Sequence, residues 1–196
     1  MEGDADAELM LRVAAGDKAA FAQIFDRYQA SVARFAFRFV GSKARAEELA
    51  QEIFIKLYRN AKRYRPSAKF KTFLFRVATN TCLNEVRRGE YQASLQSESA
   101  GRPALDELAE REAGPEQALQ GRELEHAVRG ALAQMSDRER AAFTMCRFEG
   151  MAYKEIAFAL SSSEAAVKSL IHRATLALAR SIESSQAGAA PARSRA

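Results

Sequence analysis

Tryptophan is absent from this chain, and its 196 residues hold only two cysteines, two histidines and four prolines. The cysteines, Cys82 and Cys146, have no second Cys or His at zinc spacing, which argues against a metal site. Each falls in a helical pattern and reads as a small buried apolar residue. No glycine-rich phosphate loop, nucleophile elbow or metal motif occurs, so neither catalysis nor a cofactor is expected. No apolar run is long enough to cross a bilayer, so membrane insertion is not expected. The opening MEGDADAE is acidic and lacks the apolar segment of a secretion signal, which points to the cytoplasm. Glycine and proline are sparse outside residues 89–121 and the last ten, which favours helices over a sandwich or barrel.

What is present is apolar and basic. Hydrophobic residues make up 47% of the chain, enough for a packed core, and phenylalanine is the main aromatic. The formal net charge is +5, a balance that suits a polyanionic partner. Its distribution says more than its sum. Lys62, Arg63, Arg65, Lys69, Lys71, Arg76, Arg87 and Arg88 stand against Glu85 alone. The next stretch reverses the sign, with Glu90, Glu98, Asp106, Glu107, Glu110, Glu112 and Glu116 against Arg102 and Arg111. The chain is segregated into basic and acidic zones.

Hydrophobic spacing predicts an all-α protein of two small helical domains joined by an acidic flexible linker. Residues 1–7 read as frayed. Leu9, Met10 and Val13 begin a short helix that stops near Gly16, and Asp17 suits the N-cap of the next. In that second helix Phe21, Ile24, Phe25 and Tyr28 fall at i, i+3, i+4 and i+7, and Val32, Phe35 and Phe39 carry the stripe on. Gly41 and Ser42 close it and open a third, whose apolar face is Ala46, Leu49, Ala50, Ile53, Phe54 and Leu57. Arg65-Pro66-Ser67 interrupts the pattern. A fourth helix then carries Phe70, Phe73, Leu74, Val77 and Thr81 on one side. Residues 8–88 form the first domain on this reading. Residues 89–121 form the linker, able to span up to about 100 Å if extended.

The second domain is expected over 122–184, with a disordered tail over 185–196. Leu124, Val128, Ala131, Leu132 and Met135 line its first helix. Ser136 and Glu139 have the spacing of a capping box for the next, which Gly150 ends. Ala152 to Leu160 reads as a short helix with Ile156, Ala157 and Leu160 inward. Ser161, Ser162 and Ser163 make the turn, and Ser163 or Ser162 caps a last helix with Val167, Ile171, Ala174 and Leu178 buried. A short helix, a polar turn and a basic helix together form a helix-turn-helix, whose final helix fits the major groove of duplex DNA. Its outward residues include Ala165, Lys168, Ser169, His172 and Arg173. Lys168 and Arg173 suit phosphates, and Ser169 and His172 suit bases or backbone. The plain alternative is a solvated basic face. Leu170 lies beside the buried stripe and is expected to be part-exposed.

Two other surfaces stand out. On the fourth helix, cations accompany Phe73, Phe75, Thr79 and Asn80, a mixture that suits unpaired bases: bases stack on rings while cations track phosphate. The rings cannot all face inward, so one or two should be exposed. The loop Tyr64-Arg65-Pro66-Ser67-Ala68 could cup an extruded base. On the third helix, Glu47, Glu48 and Glu52 occupy a solvent face, either a docking surface for a basic partner or simple solvation.

These stretches resemble the extracytoplasmic-function sigma factors of bacterial RNA polymerase. AEELAQEIFIKLYRN is similar to the family's region 2.2, FKTFLFRVATNTCLNEVRR to regions 2.3–2.4, and Met135 to Ala174 to region 4. The resemblance implies a factor that gives core polymerase its promoter specificity and helps open the duplex. It implies that Glu47, Glu48, Leu49, Gln51, Glu52 and Phe54 dock on the β′ clamp helices, with the β flap as a further contact of the polymerase. Tyr64, Arg65, Ser67, Lys69, Lys71, Phe73, Arg76 and Asn80 would read and melt the −10 element. Ala165, Lys168, Ser169, His172 and Arg173 would read the −35 element. An anti-sigma factor is a further implied partner.

The chain departs from the family pattern at three places. Phe73 stands where tryptophan is usual, Ser161 or Ser162 where the turn usually has glycine, and Leu170 where arginine is frequent. The last change should remove a phosphate contact and flatten the slope of log K against log salt by about 0.9. Two other functions fit parts of the pattern. One is a stand-alone helix-turn-helix regulator, which would normally dimerise on paired half-sites. The other is a sigma-mimicking decoy that binds an anti-sigma factor, which only Leu170 favours.

Overall fold

A computed structural model describes residues 4–95, 128 and 130–188, and among them every regular element is helical. Helix α1 spans Ala5–Ala14, α2 Lys18–Val40, α3 Lys43–Arg59, and a 3₁₀ turn covers Ala61–Arg63. Helix α4 spans Phe70–Leu95. In the second half, residues 130–134 are helical. Helix α5 follows at Asp137–Arg147, α6 at Tyr153–Ala159 and α7 at Glu164–Gly188.

Local chemistry accounts for the boundaries. The Asp17 carboxylate accepts from the Ala20 N–H at 3.0 Å and starts α2. Gly41 ends that helix at φ 71°, a left-handed conformation that only glycine adopts cheaply. Ser42 then caps α3. The apolar stripe read from the sequence of α3 is the buried one: Ala46, Leu49, Ala50, Ile53, Phe54 and Leu57 are all in the core.

Two expectations about the first half need correcting. Residues 4–7 are not frayed. The Asp4 carboxylate accepts from the Asp6 N–H at 3.2 Å and from the Phe70 N–H at 2.5 Å, so one side chain caps α1 and also the start of α4. Asp6 is held in turn by Tyr28 and Arg27. The expected linker start at Gly89 lies inside α4, which runs on to Leu95. A single glycine in a helix costs only about 1 kcal/mol, too little to end one that is otherwise supported. The expected disordered tail from residue 185 starts too early, since α7 runs on to Gly188; its remainder, the rest of the expected linker and the expected Arg122 start of the second domain lie outside the described residues.

In the second half Ser136 and Glu139 form the expected capping box, and Ser163 is the residue that caps α7. Between α6 and α7, Ser161 takes φ 48°. Its N–H donates to the Phe158 carbonyl and the Ser162 N–H donates to the Ala157 carbonyl, closing α6 with a Schellman motif. The Arg138 guanidinium donates to the Leu160 carbonyl at 3.1 Å and fixes the end of α6 against α5.

The halves do not stand apart. One continuous buried cluster runs from Leu9 and Met10 in α1 to Ile156 in α6 and Ile171 in α7. Helix α4 packs on α2 and α3 along one side and on α6 along the other. Its buried arc is therefore wider than one stripe. Phe75 is fully buried, 5.2 Å from the Phe35 ring, while Phe73 and Val77 are only half-buried. Cys82 is also buried, which pushes its thiol up and keeps it neutral, whereas Cys146 is half-buried.

Two backbone substitutions test these assignments. An added Cβ at Gly89 would meet no atom within 4 Å. Gly89→Ala should therefore stabilise the chain by roughly 0.5–1 kcal/mol in urea unfolding, a gain that a linker position would not give. Ser161→Gly removes the cost of a left-handed L-residue and should raise stability by roughly 0.5–1 kcal/mol. That corresponds to about 1–4 °C in thermal unfolding, whereas Ser161→Ala should bring no gain.

Candidate nucleic-acid and polymerase interfaces

The acidic side of α3 divides into exposed and buried groups. Glu47, Glu48, Gln51 and Glu52 face solvent. Leu49 and Phe54 do not: they are 0% and 2% exposed, because their positions belong to the apolar stripe. They hold the helix in place and cannot themselves touch a partner. The exposed apolar residues on this helix are Ile55 and Tyr58, which the sequence reading missed. Phe21 packs edge-on against Tyr58 at 5.0 Å and props it outward from α2. The carboxylates are braced from behind: Arg45 donates to Glu85 of α4 at 2.7 Å and to Glu48 at 2.5 Å. The Arg45 bonds, the largest influence on Glu85, hold its carboxyl below the usual range.

A cleft of about 430 Å³ opens between α3 and α4. Phe73, Val77, Asn80 and Asn84 line its α4 side, spaced i, i+4, i+7 and i+11 along one stripe. Lys56, Asn60 and Arg63 line the other side. An apolar ring at one end, with amides and cations around it, can stack a flat heterocycle and bond its edge. Phe73 and Asn80 were expected in such a site. Lys56, Asn60, Arg63 and Asn84 were not, although the α4 spacing was readable. Tyr64 corrects another expectation. It is 2% exposed, with its ring 5.0 Å from Phe73, and burial raises its phenol. It supports the Phe73 ring from below. Arg65 and Ser67 are exposed, and the Arg65 guanidinium donates to the Lys62 and Tyr64 carbonyls, closing the loop on itself.

The remaining cations expected to meet nucleic acid point elsewhere. Lys69 pairs with Glu155 at 2.9 Å, and Lys71 donates to the Glu149 carbonyl at 2.6 Å. The Arg76 guanidinium sits 5.3 Å from the centre of the Phe158 ring. Burial works to raise the Glu155 carboxyl, but bonds from Lys69 and from the Ala152 N–H outweigh it and hold it low. The same pairing raises Lys69.

Helix α7 carries the residues expected to meet duplex DNA on one exposed side. Ala165, Lys168, Ser169 and His172 are all exposed, spaced i, i+3, i+4 and i+7 on its first two turns. Ser169 donates to the Ala165 carbonyl at 3.1 Å, and Arg173 pairs with Glu139 at 2.5 Å. Leu170 corrects the sequence reading. It is 8% exposed and joins Val167 and Ile171 in the core. Its position faces inward, so no phosphate contact is lost there, and the argument for weakened duplex binding falls away. Among the described residues no group of acids, cysteines and histidines could hold a metal.

Known proteins resemble the chain over both halves. Sigma-70 region 2 matches residues 24–90, and Sigma-70, region 4 matches residues 125–178. The chain is 34% identical over 185 residues to the RNA polymerase sigma-H factor of Pseudomonas aeruginosa, across 91% of this chain and 94% of that protein. It is 30% identical over 174 residues to the ECF RNA polymerase sigma factor SigW of Bacillus subtilis, across 87% and 93%. It is 32% identical over 187 residues to the ECF RNA polymerase sigma-E factor of Escherichia coli K12, across 91% and 94%. Two solved structures share the fold. One is CnrH in complex with the cytosolic domain of CnrY, with TM-score 0.67, 22% identity, and 92% and 99% of the chains covered. The other is the sigma factor RpoE bound to the anti-sigma factor NepR, from Bartonella quintana, with TM-score 0.69, 18% identity, and 83% and 96% covered.

Proposed function

We infer the division of labour on this chain from the family to which it belongs, the extracytoplasmic-function sigma factors of bacterial RNA polymerase. It confers promoter specificity on core polymerase in transcription initiation, and its partners are that polymerase and promoter DNA. The family is one of non-enzymatic transcription factors. No helix among the described residues is long and apolar enough to cross a membrane. We place its action in the cytoplasm, with the polymerase.

The residue assignments are our own reading. Glu47, Glu48, Gln51 and Glu52 present an acidic face to the β′ clamp helices, with Ile55 and Tyr58 as apolar anchors beside it. The cleft beneath Phe73 takes an unstacked base of the −10 strand, with Asn60, Asn80 and Asn84 as hydrogen-bonding groups for its edge. Arg63 and Arg65 track the phosphates around it, and Lys69, Lys71 and Arg76 join them only on giving up their contacts with Glu155, Glu149 and Phe158. Ala165, Lys168, Ser169, His172 and Arg173 enter the major groove of the −35 element. Residues 130–184 also carry the contact to the β flap, and an anti-sigma factor is the expected inhibitor. The observation that carries this reading is the separation of three chemically distinct surfaces: an acidic one on α3, a ring-and-amide cleft on α3 and α4, and a basic groove-sized stripe on α7. The decoy reading lost its one support when Leu170 proved buried.

Run-off transcription with purified core polymerase on a genomic promoter pool tests the function as a whole, and specific transcripts are expected. Two predictions test the surfaces. Glu48 is tied to Arg45, so Glu47 is the cleaner probe of docking. Glu47→Lys should weaken core binding roughly tenfold, as charge reversal in a complementary interface does, with thermal unfolding unchanged. An unchanged affinity would remove α3 from the interface. For DNA, Lys168→Ala should reduce the magnitude of the holoenzyme's log K against log salt slope by about 0.9. Asn80→Ala should instead lower affinity for a template with a melted −10 strand about fivefold, the loss of one hydrogen bond, with the slope unchanged.

A further inference from the structure

The two oxygens of the Glu139 carboxylate have different tasks. Oε2 accepts from the Ser136 N–H at 3.0 Å and closes the capping box of α5. Oε1 accepts from Nε of Arg173 at 2.5 Å, thirty-four residues further on, in α7. The side chain of Glu139 is 17% exposed and that of Arg173 is 56% exposed. The first turn of α5 thus fixes the direction of the carboxylate, which holds a guanidinium that reaches into solvent. Burial works to raise the Glu139 carboxyl, but bonds from Arg173 and Ser136 outweigh it and hold it low, so it stays charged at neutral pH.

This bond uses one of the guanidinium's N–H donors and leaves the rest. Among the described residues no other acceptor engages Arg173. Its outer edge, Nη1 and Nη2, keeps the paired donors that match two oxygens of a phosphate. Arg173 follows Ser169 by one turn, on the exposed stripe that begins at Ala165. The N-terminal residues of a recognition helix reach base edges, and a side chain further along comes level with the DNA backbone.

We propose that Glu139 is a positioning residue for −35 binding: it holds Arg173 in one extended arrangement, with Nη1 and Nη2 turned to a phosphate beside the groove that α7 enters. The inference rests on reading α7 as the −35 helix. An untethered arginine gives up its rotamer freedom on meeting DNA, which costs about two- to tenfold in affinity. Here the bond to Glu139 has already removed that freedom. Glu139 also repels the same phosphate. For unit charges about 7 Å apart in water at physiological salt, that opposing effect is less than about twofold. Positioning therefore outweighs repulsion.

The test uses holoenzyme reconstituted with core polymerase and a fluorescein-labelled duplex carrying a promoter transcribed from the run-off pool. Binding is followed by anisotropy in the cold, where the duplex stays closed. Glu139→Gln keeps an oxygen for the Ser136 N–H, and so keeps the capping box, but loses the charge that holds Arg173. It should weaken binding about two- to tenfold and leave the log K against log salt slope unchanged, since the phosphate contact is still made once the complex forms. Arg173→Ala should also weaken binding, and should reduce the magnitude of the slope by about 0.9. In an Arg173→Ala background, Glu139→Gln should change affinity less than about twofold, because the two residues act as a unit. A loss of equal size in both backgrounds would make Glu139 a helix cap alone and overturn the inference. Unchanged or tighter binding by Glu139→Gln would leave the carboxylate no positioning role and overturn it as well. If Lys168→Ala weakens binding and Arg173→Ala does not, the contact at Arg173 is lost and the positioning role falls by itself. If neither weakens binding, or the pool yields no transcript, the −35 reading fails and takes the inference with it.

Discussion

The buried guanidinium of Arg140 is the constraint around which the two halves are arranged. It is 2% exposed, and a charge taken that far from water must find partners for its donors. It finds them at helix ends. It donates to the Leu132 carbonyl at 2.8 Å and the Met135 carbonyl at 3.3 Å, at the close of the helical residues 130–134. It also donates to Phe39, in the last turn of α2. Carbonyls at a helix C-terminus lack intrahelical partners and carry the negative end of the helix dipole. One cation thereby satisfies two such ends from different domains. The Phe39 ring, 5.6 Å from the guanidinium carbon, closes the other side.

With α2 and α5 joined in this way, α4 lies between the domains and has to serve both. One of its stripes, from Phe73 to Asn84, opens on the cleft, while Phe70, Leu74 and Phe75 are in the core. The cations at its start reach toward α6. The helix is consequently buried over a wider arc than a surface helix and is poor in the clean two-sided pattern that α2 and α3 show. Half-burial of Phe73 is what this position requires: Tyr64 holds the ring from one side and leaves its other face on the cleft.

Much of this was legible in the residues. Asp17, Gly41, Ser42, Ser136 and Ser163 announce helix ends because capping is a local event, settled by residues three or four positions apart. The stripes of α3 and α7 are legible for the same reason, each helix burying one face. The reading failed where a distant group intervened. Asp4 is sixty-six residues from the Phe70 N–H it caps, so nothing near residue 4 signals order. Leu49 and Phe54 were assigned to docking with the acidic residues between them, yet their side chains point the other way. Leu170, beside the stripe and expected to be part-exposed, is drawn into the core by packing that its own helix does not signal.

The order of elements, their capping, the helix-turn-helix and the segregation of charge were determined by the sequence alone, since each depends on contacts within a few turns of chain. The tertiary structure decided which of the marked cations are free. Lys168 and Lys69 are equally basic and equally helix-associated in sequence. Only the packing of α6 against α4 gives Lys69 a carboxylate and leaves Lys168 to solvent, because ion pairing acts through space over a few ångströms and takes no account of distance along the chain.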